Sequence, residues 1–478
     1  MRTLLLTLLI LVAACVATSC IEDDFTTSPS DTLTFSTDTL SFDTVFTDLG
    51  TPTARLKVFN RAGKSVNISR ISFKNPDTRF AMNVDGVSAS SFTDVEIRAN
   101  DSIFIFVECK LPLEDVNTPV LTEDAIEFLT NGVQQQVVLQ AWGQNVTRLR
   151  GQTLTADTRF TAERPIVVFD SLVVAEGATL RIDPGVQLLF HDKAFMRVKG
   201  RIEAVGEPGR MIAMRGDRLD NVLPDVGYDI MAGQWKGITI DAGSFGNRLE
   251  YVDMRSTVSG LQIDSCSNLS ERKLLLLNSW LHNSQGRVLE SRHAWVDALG
   301  CVFSEAADHV VSLEGGRHTM TQCTFANNYL FAAPYQSIIG LYGLLPDEGG
   351  EGAASGLPLM EASFNNCIVY GMASDLNVGD LTGSQVFFRY TLMRSGGQDD
   401  DNFLHCLWDA DPLFYTVRTD YLFNYRVKPD SPAIGAGDPA LVTPQCEYDM
   451  DGVWRLGPGG VTLGAYQYVA PPEEGSEQ

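Results

Sequence analysis

Residues able to carry acid–base chemistry recur in the middle of the chain at nearly constant spacing. Asp264, Arg292 and Glu314 are 28 and 22 residues apart, and Glu290 precedes Arg292 by two positions. Residues two apart on a strand share one face, and neighbouring strands lie about 4.8 Å apart. If these strands stack in register, the residues form an acid–base–acid ladder with Glu290 beside it. His318 follows within a few residues.

Such a ladder suits two kinds of polysaccharide chemistry. In a lyase, Arg292 would neutralise a uronate and a histidine such as His318 would take the proton. In a hydrolase, two carboxylates, Glu290 among them, would act together. The alternative, which the sequence favours, is a salt-bridge ladder on a solvated face, contributing roughly 0–1 kcal/mol. The candidates for ligand binding are Asp264, Arg292, Glu314 and Trp280.

A 22-residue period predicts the elements that would position these residues. The residues that mark it, 22, 22 and 44 positions apart, are Ser279, Cys301, Cys323 and Cys367. Apolar residues flank each at strand rather than helix spacing, and a period of 20–30 residues indicates a solenoid. The pattern predicts a right-handed single-stranded parallel β-helix with about one coil per 22 residues. The 44-residue interval would then hold two periods.

This register assigns side chains to the inside or outside of the coils. The inward sets are Leu261, Leu289 and Val311, then Ile263, Ser291 and Leu313. The thiols become small wall residues, although a Cys301–Cys323 disulfide remains an alternative. Amide residues before the thiols, such as Asn278, Gln322 and Asn366, would stack on one another at a corner. An outward column of Trp280, Val302, Thr324 and Ile368 would offer a sugar-stacking contact through Trp280.

Charge and length limit the class of protein. The 478 residues require two domains or a repeat array. A net charge of −24 argues against nucleic-acid binding, which needs basic patches, and against electrostatic attachment to anionic lipid. Nine cysteines over this length do not make a disulfide framework.

Residues 1–20 are typical of a secretory signal: Arg2 precedes an apolar run that is too short for a membrane span. The run ends in Ala-Thr-Ser before Cys20, which resembles the lipobox of bacterial lipoproteins, with Cys15 as a second candidate. The acidic residues 22–24 resemble the surface-export signal of Bacteroidota lipoproteins. The resemblance implies an outer-membrane protein that faces the cell exterior and meets the membrane through its lipid anchor only. Residues 21–29 would be a flexible tether.

Residues 30–147 contain short strand-like segments separated by turn residues, a pattern typical of a β-sandwich. The segments 42–45, 58–63, 66–68 and 100–102 resemble immunoglobulin-like domains of the Hydin type. The resemblance implies a spacer or partner-binding unit that carries no chemistry of its own.

Residues 150–470 resemble secreted parallel β-helix proteins. The segments 172–190 and 196–206 match the opening coils of those proteins, with glycine at positions where the chain turns or passes close to another backbone: Gly177, Gly185, Gly200 and Gly206. Residues 431–466 resemble the C-terminal coil of the "choice-of-anchor" group and predict a cap on the coil stack. Asp449 and Asp451 in this region resemble a fragment of a Ca²⁺ loop, so Ca²⁺ is a possible ligand although no cofactor is expected. Residues 471–478 would be a disordered tail.

The sequence thus predicts an all-β surface lipoprotein whose β-helix binds a glycan or another cell-surface component. One alternative is a carbohydrate-active enzyme, either a polysaccharide lyase or a glycoside hydrolase. The other is a purely structural stalk.

Overall fold

The computed structural model describes residues 24–48, 51, 53–113, 117–223, 226–343 and 357–470. These residues divide between two compact units, Met1–Asn145 and Val146–Gln478, called here the N-terminal and C-terminal units. The predicted signal peptide with Cys15 and Cys20, and the predicted tail, lie outside the described residues. Among the described residues, no helix combines the length and hydrophobicity that a membrane crossing requires.

The described residues of the N-terminal unit form strands and no helix. They are β1 (Leu33–Phe35), β2 (Thr39–Phe46), β3 (Ala54–Asn60), β4 (Val66–Phe73), β5 (Phe80–Val84), β6 (Val87–Ala89), β7 (Ser91–Phe92), β8 (Val95–Ile97), β9 (Ser102–Cys109), β10 (Val120–Thr130) and β11 (Val133–Gln144). One sheet has the order β1-β3-β9-β5-β6 and the other the order β2-β11-β10-β4-β7, with β8 pairing β4. Alternation along the strands buries one face of each, as in β9, where Ile105 and Val107 are buried and Phe104 and Phe106 are exposed.

The C-terminal unit contains a long series of short strands. The first are β12 (Thr147–Leu154), β13 (Thr158–Phe160), β14 (Ile166–Val174), β15 (Thr179–Ile182), β16 (Gln187–Phe190), β17 (Phe195–Val198), β18 (Arg201–Val205), β19 (Ile212–Gly216), β20 (Asn221–Leu223), β21 (Val226–Gly227), β22 (Gly237–Ile240), β23 (Asn247–Glu250), β24 (Val252–Thr257), β25 (Leu261–Ile263) and β26 (Leu274–Leu277). The next are β27 (Trp280–Ser284), β28 (Leu289–Leu299), β29 (Val302–Ala306), β30 (Val311–Thr321), β31 (Thr324–Asn327), β32 (Ile339–Tyr342), β33 (Leu359–Asn365), β34 (Ile368–Gly371), β35 (Leu376–Val378), β36 (Val386–Arg389), β37 (Leu392–Met393) and β38 (Phe403–Leu404).

Twenty-five of these strands form one sheet in the described part of the chain, in chain order from β12 to β38 without the β20–β21 hairpin. Most of these strands pair in parallel with a strand two or three positions later in this order, as β22 does with β25 and β25 with β28. We call the stretch of chain between two such partners a coil. The fold is therefore all-β, with a long parallel sheet compatible with a β-helix.

The predicted inward register is confirmed. Leu261 pairs with Leu289 and Leu289 with Val311, and all three are fully buried. The marker column is buried as well, and its thiols are free, so the alternative of a Cys301–Cys323 disulfide is wrong for this structure.

The 44-residue interval is one enlarged coil, not two periods. Thr324 on β31 pairs directly with Ile368 on β34, so no complete coil lies between them. The prediction of two periods is wrong because an insertion doubles the length of chain between the two strands. Residues 344–356 of this insertion lie outside the described residues.

After β38 the chain forms β39 (Phe414–Val417) and β40 (Phe423–Val427), which pair antiparallel, and short 3₁₀ turns at Thr419–Tyr421, Pro439–Leu441 and Pro444–Cys446. Another 3₁₀ turn, Tyr228–Ile230, lies earlier, in the excursion of residues 216–232. Residues 407–466, called here the flanking segment, pack against outward side chains of several successive coils: Val302, Ala326, Ile368 and Leu392. The segment thus covers the side of the stack, and the prediction that it caps the end is wrong in position.

Corner amides hold this segment in place. Asn366 Nδ2 donates to the Asp438 carbonyl oxygen, and Asn366 Oδ1 accepts from the Asp438 N–H, both at 2.9 Å. Asn278 Nδ2 donates to the Tyr448 carbonyl oxygen at 3.3 Å. Both amides thus bond to backbone groups of the flanking segment, so the prediction that the corner amides stack on one another is wrong. A backbone N–H or carbonyl of the segment is the partner in each case, and not the side chain at the neighbouring corner.

The glycines of the opening coils have both predicted roles. Gly177 and Gly185 adopt φ of +79° and +80°. A Cβ at Gly200 would lie 2.1 Å from the Ala178 carbonyl oxygen and 2.3 Å from that of Ala175. Close approach of backbone therefore fixes glycine at position 200.

Gly200→Ala should lower the free energy of unfolding by about 1–3 kcal/mol, because the added methyl forces two coils apart. Gly243→Ala is the matched control, since a Cβ there meets no atom within 4 Å, and it should stay within about 1 kcal/mol of wild type. Urea denaturation of the three proteins measures both effects. Equal midpoints for the two variants would contradict the close coil contact at Gly200.

Candidate functional site

Part of the predicted charge ladder is present at the surface of the coil stack. Gln262 pairs with Glu290, and Arg292 pairs with Glu314 on the next strand. Arg292 Nε lies 3.5 Å from Glu314 Oε2. Asp264 follows the last residue of β25 and is half-buried.

A residue that the sequence prediction missed, Arg287, is the centre of this cluster. Its Nη1 lies 2.7 Å from Glu290 Oε1 and 2.9 Å from Glu314 Oε1, and its Nε lies 3.5 Å from Asp308 Oδ2. Arg287 lies two residues before the start of β28, and its guanidinium reaches carboxylates on two neighbouring coils. Glu290 and Glu314 are thus salt-bridge partners of Arg287, which agrees with the interpretation of the ladder as a row of surface salt bridges.

His318 does not join the ladder. It is fully buried in an inward column with Val296 and Ala362, and its Nε2 lies 2.9 Å from the Gly315 carbonyl oxygen. Burial lowers the pKa of His318 to about 4. The prediction of His318 as a proton acceptor beside the ladder is wrong, because Gly315 and Gly316 both adopt positive φ and reverse the alternation of faces.

The proposed calcium-loop carboxylates already have partners within the chain. Asp449 Oδ1 accepts the N–H groups of Asp451 and Val453, at 2.9 and 2.8 Å, and its Oδ2 accepts that of Gln467 at 2.8 Å. Asp451 pairs with Arg426 through both oxygens, at 2.5 and 2.6 Å. The two carboxylates fix a turn, and no cluster of three or more His, Cys, Asp or Glu side chains suited to a metal occurs in the described ranges.

A cavity of about 260 Å³ lies on the outer side of the coil stack, away from the ladder. The excursion of residues 216–232 forms one wall and the flanking segment forms another. The side chains that give it chemical character are Asp229, Arg255, Trp280, His282, Glu305 and Phe423.

One column of residues with positive φ builds the cavity. Ser256, Asn283 and Glu305 occupy equivalent positions in three successive coils, with φ of 65°, 58° and 53°. Ser256 Oγ donates to the Asp229 carbonyl oxygen, and Asn283 Nδ2 donates to the carbonyl oxygens of Asp229 and Ile230. The first two members of the column thus anchor the excursion, and the third points toward the flanking segment.

Trp280 forms part of the cavity wall. Its column is in register as predicted, but the flanking segment buries its other members, Val302, Thr324 and Ile368. The indole Nε1 donates to Ser304 Oγ at 2.9 Å, and the ring stacks on His282 with centroids 4.2 Å apart. The sugar-stacking contact of Trp280 therefore stays a prediction, and the residue faces a bounded cavity.

Two arginines and two aspartates form a closed ion-pair network beside Trp280. Arg255 Nη1 lies 2.5 Å from Asp253 Oδ2, and Arg255 Nη2 lies 3.0 Å from Asp229 Oδ2. Arg215 Nη1 lies 3.3 Å from the same Asp229 oxygen. His282 Nε2 lies 3.0 Å from Asp253 Oδ1. Burial alone would raise the pKa of Asp253, but Arg255 and His282 outweigh it and hold this pKa below its usual value.

Glu305 is a buried acid without a cation beside it. Only 3% of Glu305 is exposed, and burial raises the pKa of its carboxyl group to about 7. The hydroxyl of Tyr425 donates to Oε1, whereas Oε2 has no hydrogen-bond partner among the described residues. Glu305 is one of the residues that line the cavity, and its buried carboxyl group is protonated below about pH 7.

Sequence reasoning missed most of this site. Asn283 lies four residues after Ser279, and Glu305 lies four residues after Cys301. The 22-residue period alone therefore places Glu305 in one column with a polar residue. Tyr425 and Asp229 lie outside the period, and no pattern in the sequence connects them to that column.

The raised pKa of Glu305 predicts a pH-dependent difference between wild type and Glu305→Gln. The unfolded carboxyl releases its proton near pH 4.5 and the folded one near pH 7. Wild-type stability should therefore fall, relative to the variant, as pH rises through this window, by up to ~3 kcal/mol. Denaturation of both proteins between pH 4 and 8.5 measures this difference, and parallel profiles would contradict the buried neutral acid.

No protein-family model and no curated protein matches the chain. Among solved structures, parts of the chain are similar to a family 123 glycoside hydrolase from Clostridium perfringens, with 10% identity, 23% of this chain and 25% of that chain covered, and a TM-score of 0.17. A protein of unknown function from Porphyromonas gingivalis W83 shows 12% identity, coverages of 26% and 60%, and a TM-score of 0.18. The ASH/PapD-like domain of human CEP192 shows 11% identity, coverages of 25% and 89%, and a TM-score of 0.18. Similarities at these scores do not assign a family or an activity to the chain.

Proposed function

We propose that the chain is an exported lipoprotein of the outer membrane of a Bacteroidota bacterium, facing the cell exterior. Its N-terminal unit would be an immunoglobulin-like sandwich of the Hydin type, and its C-terminal unit a right-handed parallel β-helix. The two sheets of the N-terminal unit and the 25-strand parallel sheet support this organisation. The lipobox before Cys20 and the acidic residues after it support the location.

The function proposed for the C-terminal unit is glycan binding, and the cavity beside Trp280 is the observation that carries it. Sugar sites combine an aromatic face, which packs on the apolar side of a pyranose ring, with polar groups that bond its hydroxyls. The cavity offers the indole of Trp280 and the ring of Phe423 together with Asp229, Arg255 and Glu305. In the charge ladder, the carboxylates of Glu290 and Glu314 are already held by Arg287.

A carbohydrate-active enzyme is the second candidate, and Glu305 is the observation that favours it. A carboxyl group that remains protonated near neutral pH is what a glycosidase uses as its general acid. The cavity places such a group beside Trp280, with the neutral imidazole of His282 on the same side.

The purified protein should bind a subset of glycans on an array of plant, host and bacterial polysaccharides, and Trp280→Ala should weaken that binding at least tenfold. Removing the indole takes away the stacking face, worth about 1–3 kcal/mol in comparable contacts. Trp142→Ala, which removes an exposed indole of the N-terminal unit, is the matched control and should bind as wild type does. Failure to bind any glycan would refute the proposed function, and release of reducing ends or unsaturated uronates would instead favour the enzyme.

Cys20 should carry the lipid anchor. Cys20→Ala should abolish incorporation of labelled palmitate and release the protein from membranes, because the diacylated residue is the only membrane attachment proposed. Cys15→Ala is the control and should keep both the label and the membrane location. Loss of label in Cys15→Ala alone would move the anchor to that residue, and resistance of wild type to protease added to intact cells would contradict exposure at the cell exterior.

A further inference from the structure

We propose that the outer face of one sheet of the N-terminal unit binds an acidic polysaccharide. The sheet is the one with the order β1-β3-β9-β5-β6. The binding surface, called here the basic face, consists of the outward cations and aromatic rings of β3 and β9 together with the arginine directly after β3: Arg55, Lys57, Phe59, Arg61, Phe104 and Phe106. The proposal goes beyond the function proposed above, because that function concerns a cavity in the C-terminal unit.

Strand pairing brings the cations and the rings together. Arg55 on β3 pairs with Phe106 on β9, and Lys57 pairs with Phe104. Residues opposite each other on neighbouring strands share one side of a sheet, and the residues between these pairs are buried in the core of the unit. Phe104 and Phe106 are 37% and 40% exposed. The rings and the cations therefore lie side by side on the surface.

The aromatic rings hold the cations by their faces. The Arg55 guanidinium carbon lies 5.1 Å from the centroid of Phe104, and Lys57 Nζ lies 5.2 Å from it. Lys57 Nζ also lies 5.0 Å from the centroid of Phe59, and the Arg61 guanidinium carbon lies 4.3 Å from it. A ring orients a cation without cancelling its charge. The N–H groups at the edges of the two guanidinium planes stay available for an anion.

The cations of the basic face have no carboxylate of their own. In the described part of the chain, none of the three forms an ion pair or a side-chain hydrogen bond. Arginines of the C-terminal unit such as Arg197 and Arg426 are paired with aspartates instead. Glu108 is the acidic residue on the outward side of β9, and its Oε1 accepts the hydroxyl of Thr53 at 2.8 Å. Three cations and one carboxylate give this face a net charge of +2, whereas the whole chain carries −24.

The arrangement of the cations fits a linear polyanion. Arg55 and Lys57 are two residues apart on one strand, which is about 7 Å, and the row extends to Arg61 over roughly 20 Å. Guanidinium groups bind carboxylates and tetrahedral anions through two parallel hydrogen bonds. A polysaccharide whose sugars carry carboxylates or sulfates presents such anions repeatedly along an extended chain. Charge complementarity therefore points to an acidic polysaccharide.

The same face fits a protein partner less well. β3 lies between β1 and β9, and β9 lies between β3 and β5, so a peptide cannot add to either as a further strand. Lys57 stands between the rings of Phe59 and Phe104, at the centre of the face. The central part of a protein interface is depleted in charge. A charged centre thus favours a polyanion over an acidic protein surface.

The test is calorimetric titration of the purified protein with polygalacturonate and with heparin, and with neutral dextran for comparison. At least one of the two acidic polysaccharides should bind, and dextran should not compete with it. Binding should weaken at least about tenfold between about 50 and about 300 mM NaCl, because salt screens exposed charges. Polyglutamate and vesicles of phosphatidylglycerol are titrated in the same way, as representatives of an acidic protein and of an anionic lipid surface.

Variants separate the geometry of the face from its charge. Arg55→Gln combined with Lys57→Gln should weaken the binding at least about tenfold. The matched control is Arg70→Gln combined with Lys74→Gln, which removes two exposed cations at the other sheet and should bind as wild type does. Phe104→Leu keeps every charge but removes the ring under two cations, so it should weaken binding about two- to fivefold. Circular dichroism verifies that each variant is folded.

The outcomes also distinguish the basic face from the cavity. Trp280→Ala should bind the acidic polysaccharide as wild type does, and a loss of that binding would assign it to the cavity and overturn this proposal. Equal losses in the two double variants would reveal an effect of net charge alone and would overturn it as well. So would failure of both acidic polysaccharides to bind, or tighter binding of polyglutamate or of the vesicles. Each of these results leaves glycan binding by the C-terminal unit to its own test.

Discussion

Parallel in-register pairing between successive coils is the constraint on which the rest of this structure depends. Strands of the 25-strand sheet hydrogen-bond to their equivalents in the next coil. Equivalent residues therefore lie about 4.8 Å apart and form columns along the stack. A column that points inward must be apolar and closely packed, as the fully buried Leu261, Leu289 and Val311 are. A column that points outward brings together residues more than 20 positions apart in sequence, as it does for Arg292 and Glu314. A short sequence pattern that repeats once per coil therefore determines which residues, far apart in the sequence, come into contact.

The flanking segment converts one outward column into a cavity. Arg455 is fully buried, and it donates to Gln322 Oε1 at 3.2 Å and to the carbonyl oxygens of Gly464 and Ala465 at 3.3 and 2.6 Å. A buried cation with several acceptors anchors a segment strongly, since removing it would leave these groups unpaired. The bond between Tyr425 and Glu305 is a second anchor, and it lies at the cavity itself. The same packing that holds the segment in place therefore also removes water from Glu305 and keeps its carboxyl protonated.

The regular part of the fold could be predicted from the sequence, and its interruptions could not. The period of the thiol column fixes which side chains point inward, because strand alternation is a local property. The alternation is broken at Gly315 and Gly316, so His318 lies in the core and not beside the ladder. The insertion after Cys323 likewise makes one coil 44 residues long, and because this is twice the period, the spacing alone does not distinguish one enlarged coil from two ordinary ones.

The candidate site was less predictable, because its walls come from segments outside the period. Trp280 was placed in the correct column, yet its surroundings depend on Tyr425 and Phe423, more than 140 residues later in the chain. Arg287 lies just before its strand, where alternation gives no assignment, and the ladder prediction therefore chose Arg292 as the central cation. Periodicity predicts which residues stack, but it does not predict which surface a later segment will cover.

The cavity beside Trp280 should hold one sugar residue of a glycan. A crystal structure of the protein with a bound glycan tests this most directly. Density for one pyranose ring packed on the Trp280 indole is the expected result. Sugar density elsewhere on the protein, with water alone beside Trp280, would contradict the proposed site.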